Sequence, residues 1–444
     1  MRIPASTVAV VVCGVMAQTR PAFAQVDPQR AQAFFTEAQA LCERDGGRMW
    51  GVSVCAPMVI GDARTQTFAT SQPPPDAPRP RTVGFVNAPL QWGGVTWIAY
   101  TWDDLAGATP RRRNETMLHE MFHGVQPGLG LRVGILENEH LDVLDGRYWL
   151  ELEWRALARA LRTSGAERTA AVRDALSFRQ ARRRIYPAAV ENERGLEINE
   201  GVASYAGTAL VASSGAEAAA SALTILTGAE AVESFVRTFA YVSGPAYGVL
   251  LDEAAPGWHR ALRSSDDLGL LAMKAFAVQP ASDPSGAATA YDGGGALRAA
   301  EEQREHRRQS RINELRRVFV DGPVLVLPGG GSGMSDSRGA TVIPGSGTVY
   351  FHRYTASGGW GTLEAENGVL LGSDGRTRRV PAPVRRDDGT FAGDGWTFKP
   401  AVGWTVREGA RRGDYEVVRQ PEPAAEDPVI PQIEAMGGPI SSTG

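Results

Sequence analysis

The sequence predicts a mixed α+β protein: a mostly helical region with a small N-terminal sheet, followed by a small all-β C-terminal domain. Three observations lead there. Apolar residues recur at helical spacing from residue 28, and again with breaks from 141 to about 275. Between those stretches lies VTWIAYTW (95–102), β-branched and aromatic throughout, which reads as a strand. After Val318 the texture changes to short runs such as VLVLP, GTLEA, WTFKP and YEVVR, separated by Gly, Asp, Asn and Pro turns.

Taken in order, the chain opens with Arg2, a brief apolar stretch over 8–16, and the A-x-A pattern of Ala22, Phe23 and Ala24. This predicts a signal peptide over 1–24 and export to the periplasm or the cell exterior. Val12 stands where a lipoprotein carries a small residue before its cysteine, so Cys13 is not expected to hold a lipid. No later run approaches the ~20 apolar residues of a membrane span, and no stable membrane insertion is expected after cleavage. In an oxidising compartment Cys42 and Cys55 are expected to form one disulfide, tying a helix end to a strand.

Residues 28–43 form a helix with Ala31, Phe34, Phe35, Ala38 and Leu41 along one face, and GVSVCAPMVI (51–60) is strand-like. SQPPPDAPRPR (71–81) is too proline-rich for either element. A helix begins at Pro110 and is expected to close at Gly124. Helices follow from 141, from 167 and over 191–212, with a break expected at Gly244 and Pro245 and a loop over 280–296. The domains are thus 25–296, a charged connecting helix at 297–318 with a solvated face, the β-domain at 319–420, and a flexible tail at 421–444. Of 444 residues 43% are hydrophobic and 22% charged, and the net charge is −4; this is the balance of a soluble protein with no basic excess, so no nucleic-acid partner is expected.

The chemistry is concentrated in LHEMFH (118–123). On a helix, residues four apart lie about 40° apart and one turn along, so His119 and His123 present two imidazoles to one ion. Glu120 is offset by about 100°, beside the ion, where a base can take a proton from water. A catalytic zinc needs a third protein ligand and an open fourth position. Leu129 stands where the metzincin pattern requires a third histidine.

Downstream, the chain reads NEGVASY from Asn199 to Tyr205. This resembles the gluzincins, zinc peptidases that pair HExxH with a glutamate on a second helix; their aminopeptidase-N branch writes that helix NEGFA-x-Y. The resemblance implies a zincin-like metallopeptidase core and one Zn2+ per chain. It implies His119, His123 and Glu200 as ligands, Glu120 as general base, and a peptide or protein substrate. Gly201, Ala203 and Ala206 are small, which suits close packing of this helix on the HExxH helix. Glu193 and Glu197 are rival ligands on the same helix. The G-x-M-E-N segment that anchors a free amino terminus is missing, and 77 residues separate His123 from Glu200. An endopeptidase is therefore expected rather than an aminopeptidase.

The family uses a downstream tyrosine to stabilise the oxyanion; Tyr241 and Tyr247 match it, and His140 is a third candidate. The strand containing Trp97 and Ala99 precedes the HExxH helix and reads equally as an edge that pairs with an extended substrate or as an internal strand whose aromatics are core. Asn199, Ser204 and Asp252 are candidates to orient the ligands. Trp360, Trp396 and Trp404 are expected to fill the β-domain core. The other function class open to the sequence is a non-catalytic cell-envelope binding protein on the same scaffold.

Overall fold

The computed structural model describes residues 25–420, except 132, 135–137, 336–339 and 352–353. The expected signal peptide and C-terminal tail lie outside the described residues. The fold is mixed α+β, and the chain divides into two compact units, up to Gln303 and from Arg304 onward. Among the described residues no helix is long and apolar enough to cross a membrane.

The first unit opens with α1 (Pro28–Asp45), whose N-terminus is capped by the Asp27 carboxylate accepting from the N–H groups of Gln29 and Arg30. Cys42, on its last turn, is bonded to Cys55 as expected. A four-stranded sheet follows: β1 (Met58–Gly61), β2 (Phe68–Thr70), β3 (Ala88–Trp92) and β4 (Val95–Thr101), in the order β2-β1-β4-β3. β1 and β4 run parallel, and the other pairs are antiparallel. The strand-like run at 51–60 thus contributes only its last residues.

After the short α2 (Trp102–Ala106) comes α3 (Pro110–Val125), the HExxH helix. It does not close at Gly124. That residue is helical, and the Cβ it lacks would lie 3.0 Å from Ile98 Cδ1 on β4. Gly124 is a packing residue, not a stop.

The remaining helices are α4 (Leu144–Arg162), α5 (Gly165–Ile185), α6 (Val190–Leu196), α7 (Val202–Val211), α8 (Gly215–Ala229), α9 (Thr238–Ala254), α10 (Leu268–Ala275), α11 (Ser285–Tyr291) and α12 (Ala296–Arg316). A π-helical turn, Glu197–Gly201, joins α6 to α7. The expected break at Gly244 and Pro245 does not occur: α9 runs through both. An interior proline costs about 3 kcal/mol. Here it is offset by burial of nearly the whole helix, from Phe239 to Leu251. α11 occupies part of the expected 280–296 loop.

The second unit holds thirteen strands among the described residues. They are β5 (Val324–Leu327), β6 (Ser332–Ser335), β7 (Thr341–Ile343), β8 (Gly347–Tyr350), β9 (Tyr354–Gly358), β10 (Gly361–Ala365) and β11 (Val369–Gly372). β12 (Arg378–Pro381), β13 (Val384–Arg385), β14 (Phe391–Gly393), β15 (Trp396–Pro400), β16 (Trp404–Glu408) and β17 (Tyr415–Arg419) complete the set. One sheet has the order β13-β14-β15-β10-β9-β6, the other β16-β17-β5-β12-β11-β8-β7. Leu325, Leu327 and Val380 of one sheet share a core with Leu363 and Phe398 of the other; Trp360 and Trp396 fill it, and Trp404 packs at its margin.

Candidate metal centre

α3 is fixed before any ion is considered. Pro110 starts it, Thr109 Oγ1 accepts from the N–H of Arg112 (3.3 Å), and Met117, Leu118, Met121 and Phe122 bury its inner face. The Tyr100 hydroxyl on β4 donates to the carbonyl of Met117 (2.9 Å). α7 lies against it at Gly207, where a Cβ would fall 2.4 Å from Glu115 O and 3.3 Å from the backbone N of His119. Gly207 therefore makes the close approach to α3. Gly201, expected in that role, instead faces α9: its Cβ would meet Ala240 O at 2.9 Å and Gly244 Cα at 3.2 Å.

The four-residue spacing brings the two imidazoles together, Nε2 to Nε2 at 3.0 Å. Glu200 Oε2 lies 3.3 Å from His123 Nε2 and 3.5 Å from His119 Nε2. Glu120 Oε1 stands off at 3.9 Å from His119 Nε2. The donor atoms of His119, Glu120 and His123 lie within 4.8 Å of one another, a group able to hold a metal ion. The triangle of two nitrogens and Glu200 Oε2 also fits one. Its corners lie about 1.9 Å from a common centre in its plane, and an ion slightly out of that plane would have the ~2.0–2.2 Å bonds such ligands form. These side chains are only 10–16% exposed.

The outer contacts aim these atoms. Gln126 Nε2 donates to the carbonyls of Asn199 (2.9 Å) and Ile198 (3.2 Å), which leaves Oε1 as the acceptor for His123 Nδ1 at 2.7 Å. His123 thus donates from Nδ1, and Nε2 is the ring atom that faces the centre. Ser204 Oγ lies 3.2 Å from His119 Nδ1. Glu200 Oε1 accepts from Arg237 (3.2 Å) and from Asn199 Nδ2 (3.3 Å), so Oε2 faces the imidazoles. Tyr241 stacks on the His119 ring, centroids 5.4 Å apart and planes 18° apart.

The charges respond to this crowding. Burial raises the Glu120 pKa, opposed by the two imidazoles. Burial also works against ionised Glu200, yet hydrogen bonds from His119 and His123 hold it well below the carboxylate range. For His123, burial acts to lower the pKa, but the hydrogen bond to Glu200 and the Glu120 charge raise it overall. Burial and the Glu200 charge raise Tyr241.

His119, Glu120, His123, Glu200 and Tyr241 are thus gathered in one place, with Ser204 and Asn199 behind them. Tyr247 is not. It is fully buried and its hydroxyl donates to Glu153 (2.7 Å). His140 pairs with Glu193 (2.8 Å), and Asp252 accepts from Tyr205 and from Trp258 Nε1 (3.0 Å). Glu193 and Glu197, the rival ligands, are fully buried among arginines. Trp97 and Ala99 are not in position to bind substrate. β4 is an interior strand between β1 and β3, and these two side chains pack on the face of the sheet opposite Ile98 and Tyr100, which join the core with α3. Among the described residues the edge strand on this side is β3.

Two site residues escaped sequence reasoning. Gln126 had a signal, since it stands one turn beyond His123 on the same helical face. Arg237 had none. In comparisons with known proteins, no family model, no curated protein and no solved structure matches the chain.

Proposed function

We propose that this protein is an exported zinc-dependent peptide hydrolase with an endopeptidase's reach. The observation that carries the reading is the convergence of His119 Nε2, His123 Nε2 and Glu200 Oε2 at 3.0–3.5 Å, with the Glu120 carboxylate beside them and not among them. His119, His123 and Glu200 would hold the ion, which supplies Lewis acidity toward water and the scissile carbonyl. Glu120, its pKa raised by burial, takes the proton of the attacking water and returns it to the leaving amine. Tyr241, stacked on the His119 ring, carries the hydroxyl that would donate to the oxyanion. An extended substrate would pair along β3, the edge strand of this sheet among the described residues, rather than along β4. The Cys42–Cys55 disulfide is compatible with export.

Elemental mass spectrometry of the purified chain, paired with a quenched-fluorescence peptide library, tests this. The expected result is zinc near one per chain and cleavage that Glu120→Gln abolishes while leaving the metal bound. A chain that takes up no zinc, or a Glu120→Gln protein that loses it, would overturn the assignment.

A further inference from the structure

Glu193, Glu197 and Glu200 are spaced i, i+4 and i+7. On an unbroken α-helix they would share one face. Here they do not. Glu193 and Glu197 point into a buried cluster of arginines, and Glu200 points at the imidazoles. The difference arises in the π turn Glu197–Gly201, where the N–H of Val202 bonds to Glu197 O, five residues back. The extra residue slows the rotation of the chain and leaves Glu200 short of the face its predecessors occupy.

The start of that turn is gripped from α5. Arg179 holds both oxygens of Glu197, NH1 to Oε1 at 2.9 Å and NH2 to Oε2. It is itself braced by Glu153 (3.2 Å) and Asp267 (3.4 Å). Arg182 ties Glu153 (2.6 Å) to Glu193 (2.8 Å), and Arg183 ties Glu193 to Asp267, both at 2.8 Å. The end of the turn is set by Gly201 against Gly244. Buried ion pairs are weak stabilisers compared with apolar packing of the same volume, but a two-pronged pair fixes direction.

We propose that Arg179 and Glu197 are positioning residues: their paired contact sets the rotation of the π turn and so aims Glu200 at the metal site. This rests on the reading of Glu200 as a ligand. Co2+ is the probe, because its visible spectrum reports ligand number and geometry. Four proteins are compared: wild type, Glu200→Gln, Glu197→Gln, and Glu193→Gln, the last equally buried in the same cluster but outside the π turn. Glu197→Gln is expected to bind Co2+ about 10- to 100-fold more weakly and to shift the bands toward those of Glu200→Gln. Glu193→Gln is expected to keep the wild-type spectrum even where its melting temperature falls as far. Equal spectral change in both, or none in Glu197→Gln, overturns the proposal. Should Glu197→Gln not fold, Arg179→Lys keeps the charge, loses the fork, and is expected to give the same shift in smaller measure; a wild-type spectrum there overturns the proposal. A Glu200→Gln protein with wild-type affinity and spectrum refutes the ligand reading itself, and is recognised without the other variants.

Discussion

Glu197 and Glu200 lie three residues apart and are both buried, yet their surroundings differ in kind. Glu197 is saturated by a guanidinium on both oxygens. Glu200 gives one oxygen to Arg237 and Asn199 and turns the other toward Nε2 of two imidazoles. Glu151 on α4 is a third case: Arg147 approaches no nearer than 4.0 Å and is occupied by Glu301 at 2.9 Å, while Oε2 of Glu151 has no hydrogen-bond partner among the described residues. Its pKa is pushed up to about 8 by burial and the Glu301 charge. A buried carboxylate is therefore not by itself a sign of function. What surrounds it decides whether it is a brace, a prospective ligand or a neutral acid.

The comparison breaks most visibly at Glu200. Glu200→Ala is expected to weaken metal binding about a thousandfold, roughly 4 kcal/mol, with little loss of stability in the metal-free chain, because the cation left behind, Arg237, is half-exposed. Zinc competition against a chromophoric chelator and denaturant unfolding of the apo protein measure the two halves. Glu197→Ala should do the reverse to stability: it removes the two-pronged partner of buried Arg179 and leaves only the longer contacts to Glu153 and Asp267, at up to about 3–5 kcal/mol by urea unfolding. If both variants behaved alike, the division between brace and ligand would fail.

Glu151 sharpens the middle case. A folded pKa near 8 against about 4.5 unfolded means the native state binds more protons between those values, so this group removes stability as pH rises from about 4.5 to 8. Glu151→Gln, already neutral, should be close to wild type at pH 5 and more stable by roughly 2–3 kcal/mol at pH 9. Unfolding midpoints at the two pH values check it; an equal difference at both would sink the idea. The smallest effect concerns Asp267. Burial opposes its ionisation, but Arg179 and Arg183 hold its pKa below the usual range. Its contribution is complete above about pH 4 and is lost as pH falls toward the folded value. Unfolding between pH 5 and 3 should lose about 1–2 kcal/mol in wild type, and Asp267→Asn should flatten that slope.

Much of the layout is legible in the chain. LHEMFH works because two residues four apart on one helix need only local geometry, and the start of α3 follows from Pro110 and its threonine cap. The cysteine pair and the strands after Val318 were equally open to reading. The pairing of β4 has a local trace too. Gly93 and Gly94 form a two-residue turn with φ of 59° and 78°, the hairpin signature that pairs β4 with β3; its second, parallel pairing with β1 makes it interior and has no such trace. Other features have no local trace. The π turn is held by Arg179, eighteen residues before Glu197, and nothing in EINEG announces it. Pro245 reads as a break in any sequence, and only the burial around α9 overrules it.

At Gly201 and Gly244 two helices meet backbone to backbone; a Cβ on Gly244 would fall 2.2 Å from Gly201 O. No side chain stands between the turn bearing Glu200 and the helix bearing Tyr241, so nothing there can be trimmed, enlarged or exchanged to retune their separation. The spacing of a prospective ligand from a prospective proton donor is in this sense inherited rather than adjustable. Variation in what the centre acts on would have to come from the rim, at Arg237 or along β3, while the middle stays as it is.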